Sequence, residues 1–130
     1  MRLHRFAWLV GALVLAGCSD ATGPLFGRWA SLGIELQATP TTTDLRLPCT
    51  LVSPLPVITP APDGSFRVEG HAQSTSMPGG NWALTLAGAV HGDTIVADLS
   101  LRSGVQPAYT TRYIMVRGGD SQIDRFGCFA

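Results

Sequence analysis

Alternation with a period of two is the feature that most limits what this chain can fold into. Phe66, Val68, Gly70 and Ala72 alternate with Arg67, Glu69, His71 and Gln73. Trp82, Leu84, Leu86, Gly88 and Val90 alternate with Ala83, Thr85, Ala87, Ala89 and His91. Ile95, Ala97, Leu99 and Leu101 alternate with Thr94, Val96, Asp98, Ser100 and Arg102, and Leu45, Leu47, Cys49 and Leu51 do so with Asp44, Arg46, Pro48 and Thr50. Side chains of a strand point to opposite faces in turn, so each stretch predicts a strand with one buried face. Turn-forming residues lie between them: Pro62-Asp63-Gly64-Ser65, Pro78-Gly79-Gly80-Asn81, and Gly92-Asp93, whose two-residue spacing predicts a tight hairpin.

Four further segments read as strands. Residues 109–117 face inward either through Tyr109, Thr111, Tyr113 and Met115 or through Ile114 and Val116. Residues 27–38 read as one strand with a bulge at Gly33, residues 55–59 as a short strand among prolines, and residues 122–128 as the closing strand. With no convincing helical period anywhere, the expectation is an all-β fold, an antiparallel meander of about eight strands. A sheet with one apolar face must close or fold over, so a small closed barrel is expected, with a two-sheet β-sandwich as the alternative.

The N-terminus poses a different question. Arg2 and Arg5 precede an uncharged apolar run that stops at Cys18. That run is about 12 residues long, the length of a signal-peptide core, whereas a spanning helix needs ~20. Its end, Leu15-Ala16-Gly17-Cys18, resembles the lipobox of bacterial lipoproteins. The resemblance implies that residues 1–17 are a signal peptide, that the Cys18 sulfur takes a diacylglyceryl thioether, and that cleavage follows before Cys18. The alternative is a plain signal peptide with an incidental cysteine. Two or more acyl chains anchor stably where one binds marginally. Ser19 follows the cysteine, with Asp20 one place later, and by the sorting rule of that family this favours the periplasmic face of the outer membrane. Residues 18–24 then form a short tether, and residues 25–130 form a single domain.

Removing residues 1–17 from the 130 leaves 113, enough for one small core. It also takes away two of nine basic residues, so seven arginines stand against nine acids, a net −2. A charge so mild and scattered excludes a nucleic-acid surface, which needs clustered basic residues. With Cys18 lipidated, Cys49 and Cys128 are an even pair in an oxidising compartment and are expected to form a disulfide, two buried thiols being the alternative.

Catalytic signals are sparse. The serines lack a nucleophile-elbow context, and His71 and His91 fall on polar strand faces beside groups such as Glu69. Asp44, Glu69, Asp98, Asp120 and Asp124 are scattered over different segments, and neither a metal-ligand spacing nor a carboxylate pair is recognisable. The expectation is a non-enzymatic domain with no metal and no cofactor beyond the covalent lipid on Cys18. Residues 54–62 hold four prolines and read either as a rigid connector or as a polyproline segment offered to a partner.

Gly27-Arg28-Trp29 resembles the G-x-W opening of lipocalin-like barrels, which implies that Trp29 plugs one end beneath an arginine, here Arg117 or Arg125. The mature part as a whole resembles small bacterial lipoproteins of lipocalin-like β-barrel type. It shares with them that opening, a cysteine after "LRLP", a "DGSF" turn, a "GAVHGDTI" hairpin and a cysteine near the C-terminus. That resemblance implies a fold and no activity. One outward face is unusual: Ala83, Thr85, Ala87 and Ala89 are small and uncharged where charged residues are the rule. The strip is either a surface for an envelope protein partner or covered by Leu25-Phe26. The function expected is therefore an interaction or scaffold module, the alternative being a carrier of one small apolar ligand.

Overall fold

A computed structural model describes residues 23–75, 80–104 and 109–128. The signal-peptide and lipidation expectations, with Cys18 and most of the tether, lie outside the described residues. The strands are β1 (Gly27–Ser31), β2 (Ile34–Ala38), β3 (Thr43–Arg46), β4 (Thr50–Val52), β5 (Ser65–Ser74), β6 (Asn81–His91), β7 (Thr94–Arg102) and β8 (Tyr109–Arg117), followed by a single 3₁₀ turn, Ile123–Arg125. They form one sheet in the order β3-β2-β1-β8-β7-β6-β5-β4, every pair antiparallel. The meander curls into a barrel because β3 and β4, the two ends of that order, meet at isolated bridges, Leu47 to Thr50 and Thr43 to Leu55. The barrel is thus nearly closed, with its one weak seam between β3 and β4.

The long alternating segments bury the faces that their pattern predicts. Phe66, Val68, Ala72, Leu84, Leu86, Ile95, Ala97 and Leu99 are all buried, and Trp82, Val90 and Leu101 pack against them. The open parity of β8 resolves toward Met115, which is wholly buried with Tyr113 packed beside the core, while Ile114 and Val116 stand outside. Burial pushes the Tyr113 phenol above its usual pKa, with the nearby Tyr109 adding to the shift. At the turn before β5, the Asp63 carboxylate accepts hydrogen bonds from the Ser65 hydroxyl (2.6 Å) and N–H (3.0 Å), which hold its pKa below the ordinary value.

Four strand assignments change. Residues 27–38 are two strands, not one bulged strand: Leu32-Gly33 is a hairpin turn, with Gly33 at φ +81°, where a glycine has no Cβ to clash. The alternation over residues 44–51 breaks at Cys49, whose φ of +52° turns the chain from β3 into β4. Leu51 consequently faces solvent and not the core. Residues 55–59 are not a strand. Leu55 makes one bridge to Thr43, and Leu55 and Ile58 drop into the barrel end while the prolines around them stay largely outside. This segment is a connector that caps the core. Residues 122–128 are not a strand either: after Arg117 the chain turns back over β1 and β2, tied by Gly118 N–H to Arg28 O (2.8 Å) and Gly33 N–H to Ser121 O (2.8 Å), and ends at Cys128.

The disulfide between Cys49 and Cys128 joins this strap to the β3–β4 turn across 79 residues of sequence. A cross-link of that span is worth ~4 kcal/mol on the chain-entropy argument. It fastens the strap to the turn beside the thinly paired β3–β4 seam.

Candidate functional site

Two places on the barrel answer to the residues singled out by the sequence, one at an end and one on the wall. The end is built by β1, β8 and the turns at residues 60–64 and 91–93. Trp29 is wholly buried there, and its indole N–H donates to Phe26 O at 3.2 Å, which satisfies the one polar atom of the ring. The Trp29–Arg117 register brings the Arg117 guanidinium over the indole, 4.4 Å from its centroid. Arg117 is held from the other side by Asp93 at 3.2 Å and donates to Phe26 O at 3.4 Å. Arg117 is therefore the arginine over the plug, whereas Arg125 sits exposed in the strap.

Above Trp29 lies a cleft of about 520 Å³, walled by Pro24, Leu25, Phe26, Pro60, Pro62 and Arg117 among others. Gly23, where the described chain begins, also lines it. We call this end of the barrel its mouth. The barrel interior behind it is occupied by Trp29, Ile34, Leu36, Ile58, Leu84, Leu86, Ile95 and Met115, each almost fully buried. The cleft is consequently a feature of the mouth, outside the plug.

The wall site is the outward face of β6. Ala83 is exposed, and Thr85, Ala87 and Ala89 are half-buried. Leu25-Phe26 does not cover them: Leu25 is buried at the mouth, its N–H donating to Ile58 O at 2.6 Å, and Phe26 is 63% exposed. Ala87 stands between Arg67 of β5 and Asp98 of β7 in the sheet register. Asp98 accepts hydrogen bonds from Arg112 Nε (2.9 Å) and NH2 (3.2 Å), which hold its carboxyl below the usual range. The strip is thus an alanine floor between charged side chains.

Other candidates are not brought together. His71 and His91 are both exposed, and their register partners Ala83 and Thr94 place them toward opposite ends of the barrel. Eight residue steps of β6 separate the two positions, ~26 Å. Asp44, Glu69, Asp98, Asp120 and Asp124 lie on different strands or in the strap. Among the described residues no group of three or more His, Cys, Asp or Glu converges as a metal site would require.

One charged cluster escaped the sequence reading. Glu35 points outward from β2 yet is only 3% exposed. It pairs with Arg28 and, at 2.8 Å, with Arg46, which reaches on to Asp124 in the strap at 3.5 Å. Reading Gly33 as a hairpin turn is the signal that would have found it, since only then do Arg28 and Glu35 share a face of paired strands. Thr43 is also buried, its hydroxyl without a hydrogen-bond partner beside the barrel seam.

Comparison with known proteins adds no kinship: no family model, no curated protein and no solved structure matches this chain.

Proposed function

We propose that this chain is a lipid-anchored β-domain of the bacterial cell envelope, held through Cys18 at the periplasmic face of the outer membrane, and that it binds a partner protein without catalysing a reaction. The observation that carries the reading is the filled interior. Trp29, Leu36, Leu86, Ile95 and Met115 are almost wholly buried within the barrel, so its working surface is the outside. On that outside, Ala83, Thr85, Ala87 and Ala89 form a shallow floor that another backbone can approach closely, bordered by Arg67 and Asp98 for polar contacts.

Ala87→Arg tests the partner surface. An arginine on a half-exposed strand lays its stem along the sheet and keeps its head in water, so the domain folds normally. Against a packed partner the same side chain clashes or buries its charge, at a cost of several kcal/mol. The expected result is an unchanged circular dichroism spectrum and loss of the proteins cross-linked to the parent in intact cells. A variant that keeps every cross-link counts against the surface. Cys18→Ala tests the anchor separately: the protein should leave the membrane fraction or remain unprocessed.

A second reading, a carrier of one small apolar ligand, has the mouth cleft of about 520 Å³ in its favour. Native mass spectrometry of protein purified from membranes separates the two. A small-molecule mass that stays with the folded protein and leaves on denaturation decides for the carrier.

A further inference from the structure

We infer that the barrel stands on the membrane with its mouth down, the Phe26 rim resting in the interfacial region of a phospholipid bilayer and the disulfide end pointing away. This rests on the lipid anchor at Cys18 proposed above and adds an orientation to it.

The argument begins with where the chain emerges. Gly23 lines the mouth cleft, five residues beyond Cys18. Those five residues reach ~17 Å at most. The eleven residues of β6 run from the opposite end to the mouth. At ~3.3 Å per residue and a tilt of roughly 40°, the barrel is ~25 Å tall. A chain that leaves at the mouth and must be acylated within ~17 Å cannot run up the wall and set the opposite end on the bilayer. The tether alone therefore excludes the inverted orientation.

The chemistry of the rim fits a lipid interface. Phe26 is 63% exposed beside the point of emergence, although Leu25 next to it is buried. Ala61 and Pro62 are exposed on the facing turn, and prolines lose little entropy when a surface settles on them. Of the rim's charges, Arg117 pairs with Asp93, while the exposed Asp63 carboxylate keeps its charge and is hydrogen-bonded by Ser65. An aromatic side chain beside neutral groups, an arginine–aspartate pair and one hydrated carboxylate suits the headgroup–acyl boundary. On the adjoining β8, Val116 and Ile114 are exposed as well, which continues the apolar surface up the wall from Arg117.

Phe26→Trp and Tyr109→Trp make a matched pair of probes. Both replace an aromatic residue, at 63% and 66% exposure, and β8 places Tyr109 at the end away from the mouth. Each full-length variant is expressed with its own signal, purified from membranes and reconstituted into phosphatidylethanolamine–phosphatidylglycerol vesicles carrying brominated acyl chains. The emission added over the parent should fall about two-fold or more at position 26 and stay almost unchanged at position 109. Equal quenching at the two positions, or stronger quenching at 109, overturns the orientation. The mass of the peptide beginning at Cys18 is measured on the same samples. An acylated peptide with equal quenching leaves the anchor standing and removes the orientation; an unmodified Cys18 removes both.

Discussion

The two halves of this barrel are held together in different ways. From β5 to β8 the strands are nine to eleven residues long and pair over nearly their whole length, so regular alternation and short turns suffice. From β1 to β4 they are three to five residues long. Strands that short share few ladder bonds and bury little apolar area each. This half is completed by particular side-chain contacts: the Trp29 plug under Arg117, the Glu35 pairs with Arg28 and Arg46, and a C-terminal strap fixed by a disulfide. One half is specified by pattern and the other by particular side chains. Mutational sensitivity should divide along the same line.

The largest effect tests that division directly. Replacing Cys49 and Cys128 together by serine removes a cross-link spanning 79 residues. The expected loss is ~4 kcal/mol, read as a lowered urea midpoint. The difference between halves should appear in amide exchange: β1 to β3 lose protection first, while β6 and β7 keep theirs. Equal loss in all strands would show a single cooperative unit and break the comparison. Gly88→Ala probes the other half at its tightest point. A Cβ there would lie 2.2 Å from Val96 O and 2.7 Å from the Ala97 Cα, so the backbones of β6 and β7 must move apart. That overpacking costs about 1–3 kcal/mol. Combined with the serine pair, the losses should add to within ~0.5 kcal/mol, as for independent sites.

The same division explains how much could be read from the sequence. β5, β6 and β7 were legible to within one residue at each end, because four or five alternations fix both strand and face. The short half was not. Residues 27–38 read as one bulged strand when Gly33 makes a hairpin, and residues 55–59 and 122–128 read as strands when one caps the mouth and the other straps the wall. Three to five residues carry one or two alternations, which a connector with buried Leu55 and Ile58 imitates. The count of eight was right because one misread strand became two, another split at Cys49, and two others fell away. At the mouth, the sequence offered Arg117 and Arg125 equally, and only the Trp29–Arg117 register chose between them. Cys49 and Cys128 were legible by arithmetic, since a pair of thiols needs no geometry to be counted. Glu35 was invisible because its burial depends on strands and a strap that pattern alone did not supply.

Glu35→Gln sharpens the comparison at intermediate size. The glutamine keeps the shape and one acceptor oxygen but loses the negative charge, and with it both ion pairs and one of the two accepted bonds. Arg28 and Arg46 are about half exposed, 47% and 50%, so they turn to water instead of being stranded. The expected loss is therefore ~1 kcal/mol and not the larger figure for a broken, fully buried pair. Faster proteolysis within the strap, with the β5–β8 core intact, would place the effect in the short half. A loss as large as that of the serine pair would make this cluster, and not the disulfide, the main fastening of the strap.

The smallest effect lies in the long half and depends on pH. Arg112 holds Asp98 below its ordinary pKa of 3.8 through two hydrogen bonds and its charge. The sign follows from linkage. A carboxyl whose folded pKa is depressed contributes stability above its unfolded value of 3.8, and that contribution disappears as the pH falls through the lower folded value. The parent should therefore lose urea resistance below pH 3.8 more steeply than Asp98→Asn, which has no proton to take up at this site. Near neutral pH the two should differ only slightly, because the pair is exposed and water screens it. Asp63, bonded by Ser65, is held low too and remains in the variant, so the acid slope should shrink without vanishing. A slope unchanged by Asp98→Asn would mean that the cross-strand pair beside Ala87 adds nothing to the sheet. The long half would then rest on its alternation and packing alone, which is the comparison in its strongest form.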